Sequence, residues 1–123
     1  MKLCLITRDE LRLIELDEVV YLKASGNYTD FHFADSHVKS ETSCLSCFAK
    51  QIEELYGDEP CPYIPVGRSQ IINVNYIVSV NIPKRTVQFH THGQHPLVLP
   101  KGGCSELKNT LSTVYKIHSQ DKP

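Results

Sequence analysis

A chain of 123 residues with a net charge of −1 at pH 7 suits one domain, since single cores occupy roughly 100–150 residues; the fold is expected to span 1–123, with a core over about residues 8–117. No apolar run approaches the ~18 residues of a spanning helix. The opening "MKLCLITRDEL" does not read as an export signal, so a cytoplasmic protein with no membrane partner is expected. Five cysteines at irregular spacing, Cys4, Cys44, Cys47, Cys61 and Cys104, argue against a disulfide framework and for a reducing compartment.

The first third reads as strands. "LRLIEL" (11–16), "VVYLKAS" (19–25) and "YTDFHF" (28–33) combine alternation with β-branched and aromatic residues, and "GN" between the last two is a turn pair able to reach positive φ. "DS" at 35–36 begins another turn, and "HVKSE" (37–41) can return as a hairpin partner. The period then changes: Leu45, Phe48, Ile52 and Leu55 recur at three- and four-residue intervals, with Thr42 or Ser43 placed to cap a short amphipathic helix. Gly57 and the proline-rich "DEPCPYIP" end it.

Strand signals resume at Ile71–Asn73, Tyr76–Asn81, Thr86–His90 and Leu97–Leu99, with "PKR" and "HGQ" as turns. Leu107, Leu111 and Val114 mark a terminal helix beginning at Cys104 or Ser105, and the tail "SQDKP" reads as frayed. The whole is a mainly β domain with a mid-chain helix and a C-terminal helix.

Charge is unevenly spread. Residues 1–59 hold six Lys or Arg against twelve Asp or Glu, a balance of −6, whereas residues 60–105 hold Arg68, Lys84, Arg85 and Lys101 with no acid. A basic face is therefore compatible with a near-neutral total.

Four stretches, "DEVVYLKASGNYTDFHFADS", a helix ending "IEEL", "VGRSQIINVNYIVSV" and "LVLPKGGCSELKNTL", follow one another in an order that resembles the LytTR family of bacterial DNA-binding domains, here as a stand-alone domain. The resemblance covers nearly the whole chain. It implies an elongated, mostly β fold that enters successive major grooves of double-stranded DNA with loops rather than a recognition helix. Such domains are usually transcription regulators, akin to the output domains of response regulators, on paired or direct-repeat sites, so two copies on adjacent half-sites are expected.

Carried over by motif, the resemblance places Arg68 against bases, with Ser69 following; it sets Asn27 or Tyr28 in the first DNA-facing loop and Lys101 near the third contact. The residues themselves are suited to these roles. A guanidinium can donate two parallel bonds to guanine, and lysine or serine can hold a phosphate. Lys23, beside the "ASGNY" turn, is the second backbone anchor. The sequence departs from the family at Pro65, Gly67 and Gln70, and Pro100–Gly103 replaces the usual Ser-Arg-Arg, so Lys101 lacks the fork of an arginine.

Other features read as structural. Lys84 and Arg85 form a charged turn, and Asn73 and Asn75 settle backbone groups. Cys44-x-x-Cys47 has no second such pair, so neither zinc nor redox chemistry is expected. His90, His92 and His95 straddle a glycine turn and read as a solvated hairpin. No catalytic motif is present, and no enzyme activity, small-molecule substrate, cofactor or metal is expected. The rival reading is a β-rich protein-interaction module that has lost DNA binding.

Overall fold

A five-stranded sheet forms the centre of the computed structural model, which describes residues 1–91, 93 and 95–115. Its antiparallel strands are β3 (Val19–Ser25), β4 (Tyr28–Phe33), β5 (Val38–Glu41), β6 (Tyr63–Val66) and β7 (Gln70–Asn73), in the spatial order β5-β4-β3-β7-β6. A hairpin of β1 (Lys2–Ile6) and β2 (Leu11–Glu15) precedes it, and a three-stranded sheet of β8 (Ile77–Asn81), β9 (Thr86–Phe89) and β10 (Leu97–Val98) follows. Among the described residues there are two α-helices, α1 (Leu45–Tyr56) and α2 (Gly103–Val114).

Strand β3 explains why the central sheet needs cover on both faces. Its run Val19-Val20-Tyr21-Leu22 is buried throughout, the signature of a strand packed on both sides rather than half-solvated. Val19 and Leu22 belong to a core shared with Leu3, Leu5 and Ile14 of the hairpin and with Leu45, Phe48 and Ile52 of α1. Val20 and Tyr21 belong to a second core with Val87 and Phe89 of β9, Leu97 of β10 and Leu107 of α2. The register shift between Val19 and Tyr21 accompanies this division of consecutive residues between faces. On β7, Ile71 faces the first core and Ile72 the second, as the two-residue strand period requires.

On α1, Phe48 meets Phe31 edge to face, with ring centroids 5.0 Å apart. The helix begins at Cys44 as N-cap rather than at Thr42 or Ser43, because those two residues still belong to the exit from β5. Ser43 donates its N–H to Glu41 O, and its carbonyl accepts from Thr29 Oγ1 at 2.9 Å. Leu55 and Val114, placed on the apolar stripes by spacing, are exposed at the helix ends.

Strands β1 and β6 carry no clear strand signal in the sequence. Strand β6 contains Pro65, and it tolerates the ring because it lies at the sheet edge, where one row of backbone groups has no strand partner. Asn73 ties the centre together: its Nδ2 donates to Val19 O at 3.0 Å and to Tyr63 Oη at 3.3 Å, and its Oδ1 accepts from Asn75 N–H at 3.0 Å. The structural role expected of the asparagines is observed for Asn73, while Asn75 joins through its backbone N–H. Glu41 is buried against Arg12, 2.5 Å from its Nη2, and so ties β5 to the hairpin.

Candidate nucleic-acid interface

Three connections carry the residues singled out in the sequence. The first is the β3–β4 hairpin turn, Gly26–Asn27, closed by the pair Ser25 and Tyr28. Gly26 has φ +61°, and a glycine at the first central position suits a two-residue hairpin turn of the primed kind. Asn27 and Tyr28 are exposed at this tip, and Lys23 is exposed on β3 opposite Asp30. Lys23, Asn27 and Tyr28 therefore share one end of one hairpin.

The second connection is Gly67–Ser69, between β6 and β7. Its backbone is fixed from three directions. Gly67 N–H donates to Glu106 Oε2 at 2.9 Å, Ser69 O accepts from Ala24 N–H at 2.8 Å, and Val66 is fully buried below. Arg68 is exposed between these anchors while Ser69 is half-buried. Next in the chain, Gln70 is buried and donates from Nε2 to Val98 O at 2.8 Å, which joins the central sheet to β10. A phenylalanine at this position could not donate that bond, so Gln70 has a structural use here.

The third connection runs from β10 into α2. Pro100 lies against Gly67 so closely that a Cβ on that glycine would sit 2.9 Å from Pro100 Cγ. Lys101 follows, exposed, and Gly102 adopts φ +81° as the N-cap of α2. Gly103 is buried with Leu99, Val66 and Pro100 all about its Cα. Gly67 and Gly103, lacking side chains, thus let the two loops close on each other, whereas Gly102 faces open space.

The β3–β4 turn and the Gly67–Arg68 loop meet at a depression of about 470 Å³, whose walls include Gly26, Tyr28, Cys44, Ser46, Gly67 and Arg68. Lys101 does not line it, but sits on the adjoining loop through the contact of Pro100 with Gly67. Arg85 comes closer to this end than its place in the sequence suggested. Its carbonyl accepts from Leu99 N–H at 2.7 Å, which brings the Lys84–Arg85 turn beside the strand end that leads to Lys101.

Sequence reasoning missed the contribution of α1. The N-terminus of this helix opens on the depression through Cys44 and Ser46, and the first turn carries no acid. Free N–H groups at such a terminus favour anions. A polar residue at Ser46 and a change of period at residue 45 were visible in the sequence; their meeting with Arg68 was not.

Cys44 and Cys47 depart from expectation. They are joined as a disulfide, with Cα atoms 5.3 Å apart, whereas Cys4, Cys61 and Cys104 are free thiols. Because Cys44 is the cap and not a residue within the helix, its side chain can turn towards Cys47. Of the histidine set, His90 and His95 are exposed and His92 lies outside the described residues, as does the tail "SQDKP". Among the described residues, no group of three or more His, Cys, Asp or Glu is placed to hold a metal ion, and no helix is long and apolar enough to cross a membrane.

A layered β module, with exposed basic and amide side chains on loops clamped to its sheet, defines a class of protein that offers loops to a partner. The sequence profile of the LytTr DNA-binding domain matches residues 9–112. The chain belongs to that family, and is a DNA-binding domain of the kind found in transcription regulators. Among solved structures, it is similar to the LytTr DNA-binding domain of a protein described as a methyl-accepting/DNA response regulator from Bacillus cereus, at 21% identity and a TM-score of 0.62, over 89% of this chain and 95% of that one. That likeness establishes the mainly β fold with two helices. No curated protein matches the sequence.

Proposed function

We infer that the chain is a cytoplasmic transcription regulator that reads double-stranded DNA sequence-specifically by setting its loops into successive major grooves. Arg68 is the principal base reader, Asn27 and Tyr28 read from the hairpin tip, and Lys101 reads from the third loop. Lys23 and Ser69 hold phosphates. The observation that carries this reading is the anchoring of the Gly67–Ser69 loop on three sides while Arg68 stays exposed. A rigid backbone aims the guanidinium and reduces the ordering cost of binding. A single small module covers a modest area of DNA, so high occupancy calls for two copies on adjacent half-sites.

Selection of duplexes from a random pool, followed by titration against salt, tests the reading. Log K falls linearly with log salt when phosphates are contacted, and a flat line on every selected duplex refutes it, leaving the interaction-module alternative. Arg68→Ala is expected to cost about 1–3 kcal/mol of binding and to relax preference at one base pair. Equal weakening on every sequence would make Arg68 a phosphate contact instead.

A further inference from the structure

The Cys44–Cys47 pair belongs to neither core and has no role in the proposed base reading, yet its Cys44 lines the depression that Tyr28, Gly67 and Arg68 also line. We propose that Cys44 and Cys47 form a reversible thiol–disulfide site whose redox state sets the DNA affinity of this face. The regulatory half of the proposal rests on the DNA-binding reading; the thiol chemistry does not.

Three observations carry it. Both cysteines are exposed, so a small oxidant or reductant can reach either sulfur. The pair occupies the cap and first turn of α1, where no side-chain oxygen occupies the cap and no acid stands in the first turn. A sulfur there faces the N–H groups of the helix's first turn, which favour an anionic partner. Finally, Ser46 Oγ lies 3.3 Å from Cys44 Sγ, in position to donate a hydrogen bond to that sulfur when it is ionised.

The step is two successive exchanges with a small disulfide of the glutathione class. One cysteine thiolate attacks a sulfur of the oxidant; a protein–oxidant S–S bond forms as the oxidant's own S–S bond breaks, releasing one small thiol. The second cysteine loses its proton to solvent and attacks the protein sulfur of this mixed disulfide. The Cys44–Cys47 bond forms and the second small thiol leaves. Two electrons pass from the protein to the oxidant, and an excess of small thiol reverses both steps. In a reducing compartment such pairs serve as transient sensors rather than staples.

Oxidation changes the charge at the DNA-facing wall. A thiolate at Cys44, on the depression that Arg68 also lines, opposes approach of a phosphate; the disulfide is neutral and leaves the helix N-terminus to the anion. The oxidised form is therefore expected to bind duplex roughly two- to fivefold more tightly at low salt, the range for one charge at a helix terminus.

The full chain is equilibrated with graded ratios of reduced and oxidised glutathione. Remaining thiols are trapped by alkylation and read by the mass of the peptide spanning residues 44–47, with duplex affinity measured on the same samples. The expected result is a single two-thiol transition at Cys44 and Cys47 with tightening across it, and loss of that redox dependence in the Cys44→Ser, Cys47→Ser double variant. Failure of the pair to oxidise overturns the proposal, as does oxidation with unchanged or weaker binding. If neither state binds any duplex, the DNA reading and its regulation both fall, while the peptide masses judge the thiol site separately.

Discussion

Gly67→Ala tests the claim that the Arg68 loop is held by close packing rather than by its sequence neighbours alone. At φ +61° an L-residue loses roughly 1–2 kcal/mol relative to glycine. The added Cβ would also stand 2.9 Å from Pro100 Cγ and 3.6 Å from Pro100 Cβ. A pyrrolidine ring is stiff, so one loop must move, at a cost of about 1–3 kcal/mol for an overpacked contact. Together these give about 2–5 kcal/mol. Gly102→Ala is the comparison: that residue has φ +81° but nothing within 4 Å of its built Cβ, so only the backbone contribution of about 1–2 kcal/mol applies. Urea unfolding of the two variants beside the parent, analysed by linear extrapolation, isolates the Pro100 contact as the difference between them. Equal losses would show that the contact restrains nothing. Because the displaced loop carries Arg68, Gly67→Ala should also weaken binding to a selected duplex.

Two further outcomes follow from the core and the sheet. Asn73→Ala removes a donor from Val19 O and Tyr63 Oη and an acceptor from Asn75 N–H; Tyr63 Oη keeps its bond to Leu16 O and Asn75 is exposed, so the loss of unfolding free energy should be about 1–3 kcal/mol, the cost of one orphaned buried group, and a loss within the scatter of surface substitutions would contradict the network. His32 is half-buried and stacked on Tyr21 at 4.1 Å, and burial holds its pKa below the usual 6.5, against a smaller upward pull from Asp30. The unfolded chain then binds the proton more readily, so the stability contributed by neutral His32 is complete above about pH 6.5 and declines as pH falls through the lower folded value. The urea midpoint should drop between pH 7.5 and 5.5 in the parent and drop less in His32→Gln; identical drops would assign the pH response elsewhere.

The parts of the fold that were legible in the sequence are those where one residue pattern dominates. Strands β3 and β4 have the limits expected, because the Gly26–Asn27 turn and the β-branched runs on either side agree. Strand β6 was hidden, since Pro65 reads as a break unless the strand is known to be an edge, and edge status depends on how β7 pairs. Strand β1 was hidden for a related reason: a short apolar patch acquires meaning only when Leu3 and Leu5 find the first core. The proposed reader residues stand out by motif, but the way their loops lie together does not. The Pro100–Gly67 contact, the Gln70–Val98 bond and the Glu106 carboxylate on Gly67 N–H all join residues more than twenty-five positions apart, and no local pattern encodes them.

The same long-range arrangement answers the difficulty posed by a net charge of −1. Much of the acid in the first half of the chain is placed where it opposes DNA least. Glu53 and Glu54 lie seven and eight residues along α1 from Ser46, roughly 10–12 Å at 1.5 Å per residue, and Asp58 and Glu59 follow the helix end. Those distances exceed the ~8 Å over which exposed charges act at physiological ionic strength. Glu41 is buried against Arg12, and Glu106, the acid beside the Arg68 loop, spends its carboxylate on Gly67 N–H. What the loop end presents is Arg68, Lys101 and the N-terminus of α1 against Glu106, which keeps its charge while Gly67 N–H binds one of its oxygens, so its local field differs from the sum over the chain. Net charge therefore reports on this protein's solubility and long-range encounter with DNA, while affinity once docked follows from which charges the fold has left within a Debye length of the loops.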